Sequence, residues 1–330
     1  MSIIKKIYYE FIRDLLVKSS KMSIELFKVM IPLTVLTKIL EYFGAVEFLA
    51  RMLEPVMSLI GLKGELGLVW AASMITNIYG GLSVFAGVYP GMDLTRADIT
   101  VLGLIILVAH SLPVELGIAK KAGVKVFPML ALRVGSAVLM GFMVSFVCTK
   151  FSLLQGQGIP VWQPEKSVDT DIFAWVYSQG TSLFYIFLII LSLVVLMDIL
   201  ERLKIMDWLT KKITLFISPL GMTKNAGFLA VTGFTLGITY GGGLIINEAE
   251  SGQLTDREVF FSLSLMGLSH GIIEDTLLMA AIGGSLWGLL FARVILSFVF
   301  IRVIVAGTSY LSDKRFSALF IEQKKSLQQN

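Results

Sequence analysis

The sequence predicts an all-α polytopic membrane protein built from two homologous repeats. Of its 330 residues, 55% are apolar and only 16% are charged, whereas a soluble domain of this length carries roughly 25% charged residues. The mean hydropathy is +0.80, and several uncharged runs approach the length of about 20 residues that a membrane helix needs. These features exclude a soluble enzyme, a disordered chain and a nucleic-acid-binding protein, so the lipid bilayer is the expected environment.

The charged residues and the single cysteine narrow the class further. The net charge of +4 is spread between the apolar runs, as in basic cytoplasmic loops. Because Cys148 is the single cysteine of the sequence, a disulfide framework and a multi-cysteine metal site are excluded. The first 21 residues are basic and amphipathic, and the charges at Glu10, Arg13 and Asp14 predict that this segment is not a cleaved signal peptide.

Eight stretches have the composition of membrane helices: Ile24–Phe43, Leu66–Met92, Ile99–Val114, Val134–Thr149, Ile172–Met197, Asn225–Asn247, Val259–Ile273 and Thr276–Ala292. The first of these, Ile24–Phe43, qualifies only if its charged residues lie near an edge of the membrane or face protein. Val46–Leu62 and Met206–Leu220 are shorter and carry charges, so each is compatible with an interfacial helix or with a buried crossing. The long polar connection Lys150–Asp171 lies at mid-chain, where a linker between two halves belongs.

A shift of 160 residues aligns the two halves of the chain with each other. Thr95 and Asp98 fall on Thr255 and Glu258, Arg133 falls on Arg293, and a one-residue slip places Tyr79-Gly80-Gly81 on Tyr240-Gly241-Gly242. The chain has two histidines, His110 and His270, and they also match in this register. The sequence therefore predicts a duplication.

The distribution of basic residues favours inverted copies. If Val46–Leu62 and Met206–Leu220 also cross, each copy has five crossings, and both chain ends lie in the cytoplasm with most of the basic loops. The predicted divisions are an amphipathic segment (1–21), a first repeat (22–150), a linker (151–171), a second repeat (172–310) and a polar tail (311–330). Inverted repeats around a midplane site are a common architecture of secondary transporters.

Two glycine pairs predict broken helices at the interface between the repeats. Asn77-Ile78-Tyr79-Gly80-Gly81 lies near the centre of one span, and Thr239-Tyr240-Gly241-Gly242-Gly243 lies within another. Each glycine costs a helix about 1 kcal/mol relative to alanine, and freed backbone groups must face protein or a wet cavity. The alternative is close packing of helices at small residues. The candidate solute-binding residues here are Asn77, Tyr79, Gly80, Gly81, Thr239, Tyr240, Gly241, Gly242 and Asn247.

The histidine helices supply the second group of candidates. Thr255 and Glu258 read as a capping box, with a weaker copy at Thr95 and Asp98, and a helix beginning there carries its histidine about 22 Å along the axis. Pro113 should break the first copy. Because ionisable groups at this depth usually line a pathway, His110, Ser111 and His270 are candidate binding residues, and the candidates for ion or proton coupling are Glu115, Glu248, Glu274 and Asp275.

Metal binding and structural roles remain alternatives for the charged residues. His270 and Glu274 share a helix face at i, i+4 and form half of a metal site, whereas Glu115 is one residue off the face in the first copy. Proton coupling is an equal alternative. Arg133 and Arg293 are expected to snorkel towards the interface. Lys38 and Asp198 either pair across the repeat axis or, as the favoured interpretation, pair locally near a helix end.

With its two Tyr-Gly-Gly segments, each followed by a histidine helix, the chain resembles the bacterial nucleoside-recognition, or Gate-domain, membrane proteins. This group includes spore maturation proteins A and B and shares a fold with the membrane part of ferrous-iron permease B. The resemblance runs from about Ile24 to Ala306 and implies an inner-membrane protein with paired Gate repeats, distantly related to concentrative nucleoside transporters. The matching residues are Asn77, Tyr79, Gly80, Gly81, Tyr240, Gly241 and Gly242. No phosphate-binding Gly-x4-Gly-Lys-Ser/Thr loop is present, and Cys148 lies away from the glycine pairs.

These observations leave three functions open. The first is a secondary transporter of a small polar, nucleoside-like solute, and the second is a permease for divalent metal cations. The third is a membrane scaffold or sensor of the spore-maturation type. An enzyme is not expected, since neither His-Glu-x-x-His nor Gly-x-Ser-x-Gly occurs, and no cofactor is predicted. The expected partner is a small molecule or ion, and a homo-oligomer is compatible with the sequence.

Overall fold

The computed structural model describes residues 3–89, 92–161, 172–214, 217 and 220–322. Within this part of the chain there are helices, turns and two isolated antiparallel bridges, and no β-strand. The all-α class predicted from composition is therefore confirmed. We call residues up to 150 the first half and residues from 172 the second half.

The described part of the first half contains seven helices: α1 (Ile3–Tyr42), α2 (Ala45–Leu59), α3 (Glu65–Ile75), α4 (Ile78–Val88), α5 (Arg96–Val108), α6 (Leu112–Lys121) and α7 (Val126–Lys150). The described part of the second half contains α8 (Ile172–Arg202), α9 (Ile205–Thr214), α10 (Lys224–Leu236), α11 (Ile238–Glu250), α12 (Asp256–Ser269), α13 (Glu274–Ala281), a π-helical turn (Trp287–Ala292), α14 (Arg293–Thr308) and α15 (Asp313–Phe320).

Among the residues that the structure describes, four helical segments are long and apolar enough to cross a bilayer, and the pair Ser19–Tyr42 and Ala45–Leu59, bent by 97°, would supply a fifth. The four are Arg96–Lys121, Val126–Lys150, Phe173–Arg202 and Trp287–Thr308. Helices α2 and α9 have 15 and 10 residues, or about 22 and 15 Å, against a hydrocarbon core of about 30 Å. Neither can cross alone, so the expected five crossings in each half are not found in the described residues.

The predicted spans Leu66–Met92 and Asn225–Asn247 are each divided into two short helices that fold back on each other. A Cβ added at Gly81 would lie 2.8 Å from the Ser73 Cβ and 3.1 Å from the Val69 carbonyl oxygen, although 12 residues of straight helix would separate Gly81 and Val69 by about 18 Å. A Cβ at Gly241 would overlap the backbone of Gly233, eight residues earlier. Helices α3 and α4 therefore form one hairpin, and α10 and α11 form a second.

Backbone features recur at the spacing of 160 residues. Both predicted capping boxes are confirmed, with Thr95 and Asp98 at the start of α5 and Thr255 and Glu258 at the start of α12. Left-handed residues also recur in this register: Gly44 with Lys204, Gly61 with Gly221, Ser111 with Gly271, and Gly123 with Gly283.

The segments outside the two predicted repeats are partly helical and are bound to the rest of the protein. Helix α1 runs without interruption past residue 21. The start of the linker is bound to the beginning of α5, since the amides of Arg96 and Gly158 donate to the carbonyls of Gly156 and Leu94. In the tail, α15 buries Phe316. Linker residues 162–171 and tail residues 323–330 lie outside the described part.

Candidate functional site

Both histidine helices are interrupted at the histidine. Helix α5 ends at Val108 and α6 begins at Leu112, with Pro113 in its first turn and Ser111 in the left-handed region at φ 47°. In the second half, α12 ends at Ser269 and α13 begins at Glu274. The break expected from Pro113 is confirmed, and the second helix is also broken although its interruption contains no proline.

Two buried arginines satisfy the carbonyl groups exposed by these breaks. Arg133 on α7 donates to the carbonyls of Val108 and His110, at 2.9–3.3 Å. Arg293 at the start of α14 makes the matching bonds to Leu268 and His270, at 3.0 and 2.8 Å. The two residues are 1% and 0% exposed, so the expectation that they snorkel to the interface is wrong. They stay inside because a broken helix in lipid needs donors for its free carbonyls.

Further donors tie the breaks to neighbouring elements. Arg293 also donates to the Leu107 carbonyl in the first half, at 3.0 Å, and the Trp70 indole donates to the Ala109 carbonyl, at 3.2 Å. The Ser269 hydroxyl donates to that of Ser297. These contacts hold the interrupted segments in a fixed, mostly buried arrangement.

The two histidines meet where the two halves are in contact. Their Nε2 atoms are 3.1 Å apart, and both residues are about 95% buried, at 5% and 4% exposure. Each Nδ1 lies within hydrogen-bond distance of the carbonyl four residues earlier: Ile106 at 2.9 Å for His110 and Met266 at 3.0 Å for His270. The structure thus brings together the two histidines that match in the shift of 160 residues.

Glu115 completes this cluster from the first turn of α6. Its Oε1 lies 3.8 Å from His110 Nε2 and 3.6 Å from His270 Nε2, and its Oε2 forms an ion pair with Arg133. Among the described residues, Oε1 has no hydrogen-bond donor. His110, Glu115 and His270, which we call the His–Glu–His cluster, can therefore accept a proton or a cation.

The first hairpin turns at Asn77, which caps α4. The Asn77 Oδ1 accepts a hydrogen bond from the Gly80 amide at 2.9 Å, as expected of a strong N-cap residue. The predicted interruption of this span is present, at Thr76 and Asn77, but Gly80 and Gly81 lie inside α4 and do not form it. Gly81 allows the two arms of the hairpin to approach closely, which is the packing alternative, and Gly80 packs against Leu33 of α1.

The second hairpin turns at Gly237, whose φ of 94° favours glycine. Gly241 and Gly242 lie inside α11 and are also packing positions: a Cβ at Gly242 would lie 2.6 Å from Cγ2 of Ile118 on α6. This contact joins the two halves. The side chains of Thr239 and Tyr240 lie outside the described residues.

The tip of the first hairpin is bonded to the break between α5 and α6. The Ser111 hydroxyl donates to the Thr76 carbonyl at 3.1 Å, and the Ser111 amide donates to the Ser73 carbonyl at 2.9 Å. In the second half, the Ile272 amide donates to the Phe234 carbonyl at 3.4 Å. In both halves, the interrupted helix and its hairpin meet.

Glu274 and Asp275 do not share a helix face with His270, because α12 has already ended at Ser269 and α13 begins at Glu274. The i, i+4 half-site predicted for His270 and Glu274 is therefore wrong. Both carboxylates are half-buried and interact electrostatically with Tyr79 of the first half. Asp275 also interacts with Arg293 and Glu115. Electrostatic interactions therefore link the two acids to the first half.

The remaining predicted charges and polar residues lie elsewhere. Asn247 is exposed and Glu248 is half-buried, with no described hydrogen bond to its Oε2. Lys38 pairs with Glu41 at 3.0 Å and Asp198 pairs with Arg202 at 2.6 Å, which confirms the favoured interpretation of local pairing.

Sequence reasoning missed the role of the two arginines. The sequence did contain a signal for it, because an arginine occurs at the matching position of each half within a strongly apolar helix. A charged side chain is costly to place in lipid, so an arginine that recurs together with the interrupted helix indicates a fixed contact inside the protein.

Comparisons with known proteins agree with this architecture. A family model described as Gate, nucleoside recognition, matches residues 23–148 and 183–286. The chain is 28% identical over 272 residues to the uncharacterized membrane protein YvoD of Bacillus subtilis (strain 168), covering 81% of this chain and 85% of that protein. It also matches a structure of a doubly substituted CNTnw in an outward-facing state, with a TM-score of 0.61 and 14% identity over 91% of this chain and 85% of that chain. At this identity the structural match shows the fold alone. Because the family model covers more than half of the sequence, the chain belongs to the nucleoside-recognition, or Gate, family of membrane proteins.

Proposed function

We propose that this protein is a secondary-type membrane transporter for a small polar, nucleoside-like solute. The solute site lies between the two halves, where the hairpin tips meet the interrupted helices. The observation that carries the proposal is the hydrogen bond from the Ser111 hydroxyl to the Thr76 carbonyl at 3.1 Å. This bond joins the break between α3 and α4 to the break between α5 and α6. The matching fold of CNTnw, a concentrative nucleoside transporter, supports it.

The proposal includes inverted repeats with three crossings in each half. In the first half, α1, the broken pair α5–α6 and α7 cross; in the second half, α8, the broken pair α12–α13 and α14 with its π turn cross. The hairpin arms α3 and α4 have 11 residues each, about 17 Å, so each hairpin enters and leaves on one side. An odd number of crossings places the second copy upside down relative to the first.

Contacts between loops support this assignment of sides. Thr95 bridges to Gln157 and Val124 bridges to Ile321, so the start of α5 shares a side with the linker, and the end of α6 shares the other side with the tail. That second side also carries Lys120, Lys121, Lys125, Arg202, Lys204, Lys211, Lys212, Lys314 and Arg315. By the positive-inside rule it is the cytoplasmic side of a bacterial inner membrane, and both termini lie there.

The solute-recognising groups in this proposal come from both halves. Asn77 and Tyr79 belong to the first hairpin, whereas Glu274 and Asp275 begin α13 of the second half and interact electrostatically with Tyr79. Carboxylates and amides suit a solute with several hydroxyl and N–H donors, such as a nucleoside. Tyr240, three residues after the turn at Gly237, is the corresponding position of the second hairpin.

A cavity at the proposed cytoplasmic end lies between the halves and supports an inward opening there. Its volume is about 540 Å³, within the range of small-molecule sites. Ala122 and Gly123 line it from the first half, and Ala249 and Asp256 from the second.

Uptake by proteoliposomes containing the purified full-length protein tests the proposal. We expect saturable uptake of radiolabelled uridine or adenosine above that of empty liposomes. Asn77→Ala, Tyr79→Phe and Glu274→Gln should each lower uptake about tenfold, the effect of losing roughly 1.4 kcal/mol of interaction. Glu250→Gln, at an exposed position on α11, is the matched control and should leave uptake unchanged.

Failure takes two distinguishable forms. Uptake that is present but unaffected by all three variants would place the site elsewhere. No uptake of any nucleoside, by protein that is monodisperse and folded, would overturn the transporter proposal and favour the scaffold or sensor function.

A further inference from the structure

We infer that the His–Glu–His cluster binds one divalent transition-metal cation at the contact between the two halves. The three facing atoms are His110 Nε2, His270 Nε2 and Glu115 Oε1, separated by 3.1, 3.6 and 3.8 Å. A triangle with these sides has a circumradius of about 2.0 Å, which is the bond length of zinc to imidazole nitrogen and carboxylate oxygen. One ion therefore fits between the three atoms at bonding distance from each.

The tautomers of the two histidines call for an electron-pair acceptor between their Nε2 atoms. Each Nδ1 faces a backbone carbonyl, at 2.9 Å in His110 and 3.0 Å in His270, and a carbonyl can only accept a hydrogen bond. Nδ1 therefore carries the proton, and in the neutral ring Nε2 is an unprotonated lone pair. Two such lone pairs 3.1 Å apart repel each other unless a proton or a metal cation lies between them.

The surroundings of the cluster are those of a metal site. Histidine ligands of metals typically donate their second ring nitrogen to a carbonyl or carboxylate, as both rings do here. Arg133 pairs with Oε2 of Glu115 and thereby directs Oε1 towards the imidazoles. Since Glu115 lies in the first turn of α6, its backbone position is fixed by the helix.

The charges around the cluster are Arg133, Arg293, Glu115 and Asp275. The guanidinium of Arg293 is directed to three carbonyls, and that of Arg133 is shared between carbonyls and Glu115. Asp275 interacts electrostatically with both Arg293 and Glu115 and offsets part of the positive charge. Arg293 Nη1 has no hydrogen-bond partner among the described residues, whereas the other guanidinium nitrogens of the two arginines donate to carbonyls or to Glu115.

The ligand set selects the class of ion. Two imidazoles and one carboxylate suit zinc, iron(II), cobalt(II) or nickel(II), whereas magnesium and calcium prefer oxygen ligands alone. Three protein ligands leave a fourth position for water or solute. This inference does not depend on the proposed nucleoside transport, because binding is measured at equilibrium without a gradient.

The test is metal binding by the full-length protein, purified in detergent without a histidine tag. The chain has two histidines, so no other imidazole competes. We expect about one zinc or cobalt ion per chain after loading and desalting, measured by mass spectrometry, and cobalt ligand-field bands of a four-coordinate site. His110→Gln and His270→Gln should each reduce affinity at least tenfold. Glu248→Gln, at a half-buried carboxylate on α11, is the control and should retain the ion.

Stoichiometric binding that is lost in both histidine variants supports the inference. Wild-type protein that retains no ion, or variants that bind as well as wild type, would overturn it. X-ray absorption of the zinc-loaded wild type adds a measurement that does not require a folded variant: we expect two imidazole ligands, and a spectrum without imidazole would also overturn the inference.

Discussion

The Nε2 atoms of His110 and His270 lie 3.1 Å apart although 160 residues separate the two histidines in sequence. This contact is made by equivalent residues of the two halves, and Glu115 of the first half lies beside it. The second half has Asp275 at the position that matches Glu115 in the shift of 160 residues, but the cluster takes its carboxylate from the first half. The cluster is therefore asymmetric.

Substitutions in the glycine run of α11 should have opposite effects on stability. Gly241→Ala places a Cβ onto the backbone of Gly233, so the hairpin arms must separate and the protein should lose thermal stability. Gly243→Ala meets nothing within 4 Å and should be neutral or stabilising by up to about 1 kcal/mol, because alanine favours a helix. Thermal unfolding of both variants in one detergent makes the comparison. Equal effects would contradict the packing role of Gly241.

Removal of the Arg133 guanidinium should destabilise the protein strongly. Arg133→Met leaves the Val108 and His110 carbonyls without this donor and Glu115 without its ion partner, for which we expect a loss of about 3–5 kcal/mol. In Arg133→Met/Glu115→Gln the carboxylate charge is also gone, so the loss should be smaller than the sum of the single effects. Unfolding measurements on the four proteins give the coupling energy, and strict additivity would argue against the ion pair.

The cap at the first hairpin tip should be replaceable by another cap residue. Asn77→Ala removes the acceptor for the Gly80 amide and should cost about 0.5–2 kcal/mol, whereas Asn77→Ser retains a capping oxygen and should cost less. Asn225→Ala, at an exposed position on α10, is the control and should change little. If serine is no better than alanine in thermal unfolding, the cap is not the source of the stability.

Zinc should inhibit solute uptake in proteoliposomes. The ion's ligands come from both halves, and transport requires the halves to move relative to each other, so a bound ion should hold them together. We expect inhibition that a chelator reverses and that magnesium does not reproduce. Inhibition should be absent in His270→Gln if that variant still transports. Inhibition that persists in His270→Gln would arise from another site.

The proposed sides can be tested with single cysteines in a Cys148→Ser background. Gln157→Cys, in the linker, should react with a membrane-impermeant maleimide in intact cells, whereas Lys121→Cys, at the end of α6, should react only after the membrane is opened. Both positions are exposed in the structure. Reaction of both in intact cells would contradict the three-crossing topology.

The spacing of 160 residues between matching features was accessible from sequence because it rests on residue types that are not easily replaced. The capping boxes at Thr95 and Thr255 and the matched histidines needed only counting, and the structure has them at the expected positions. The break before Pro113 followed from the missing amide of proline. Composition was sufficient for the all-α membrane class.

The positions of the helix breaks were less accessible. Propensity indicates that glycine weakens a helix, but the chain turns where a cap or a left-handed residue is available, at Asn77 and Gly237. Gly81 and Gly241 instead serve contacts between arms that are remote in a straight helix. The arginines were misplaced for a related reason, since snorkelling is the default for an isolated helix and only the tertiary structure shows carbonyls within reach.

The hydrogen bonds of Arg133 and Arg293 have a consequence for how the two halves can shift against each other. Each arginine supplies donors to the interrupted helix of its own half, so these bonds can persist during such a shift. The guanidinium bond from Arg293 to the Leu107 carbonyl joins the two halves and would have to break.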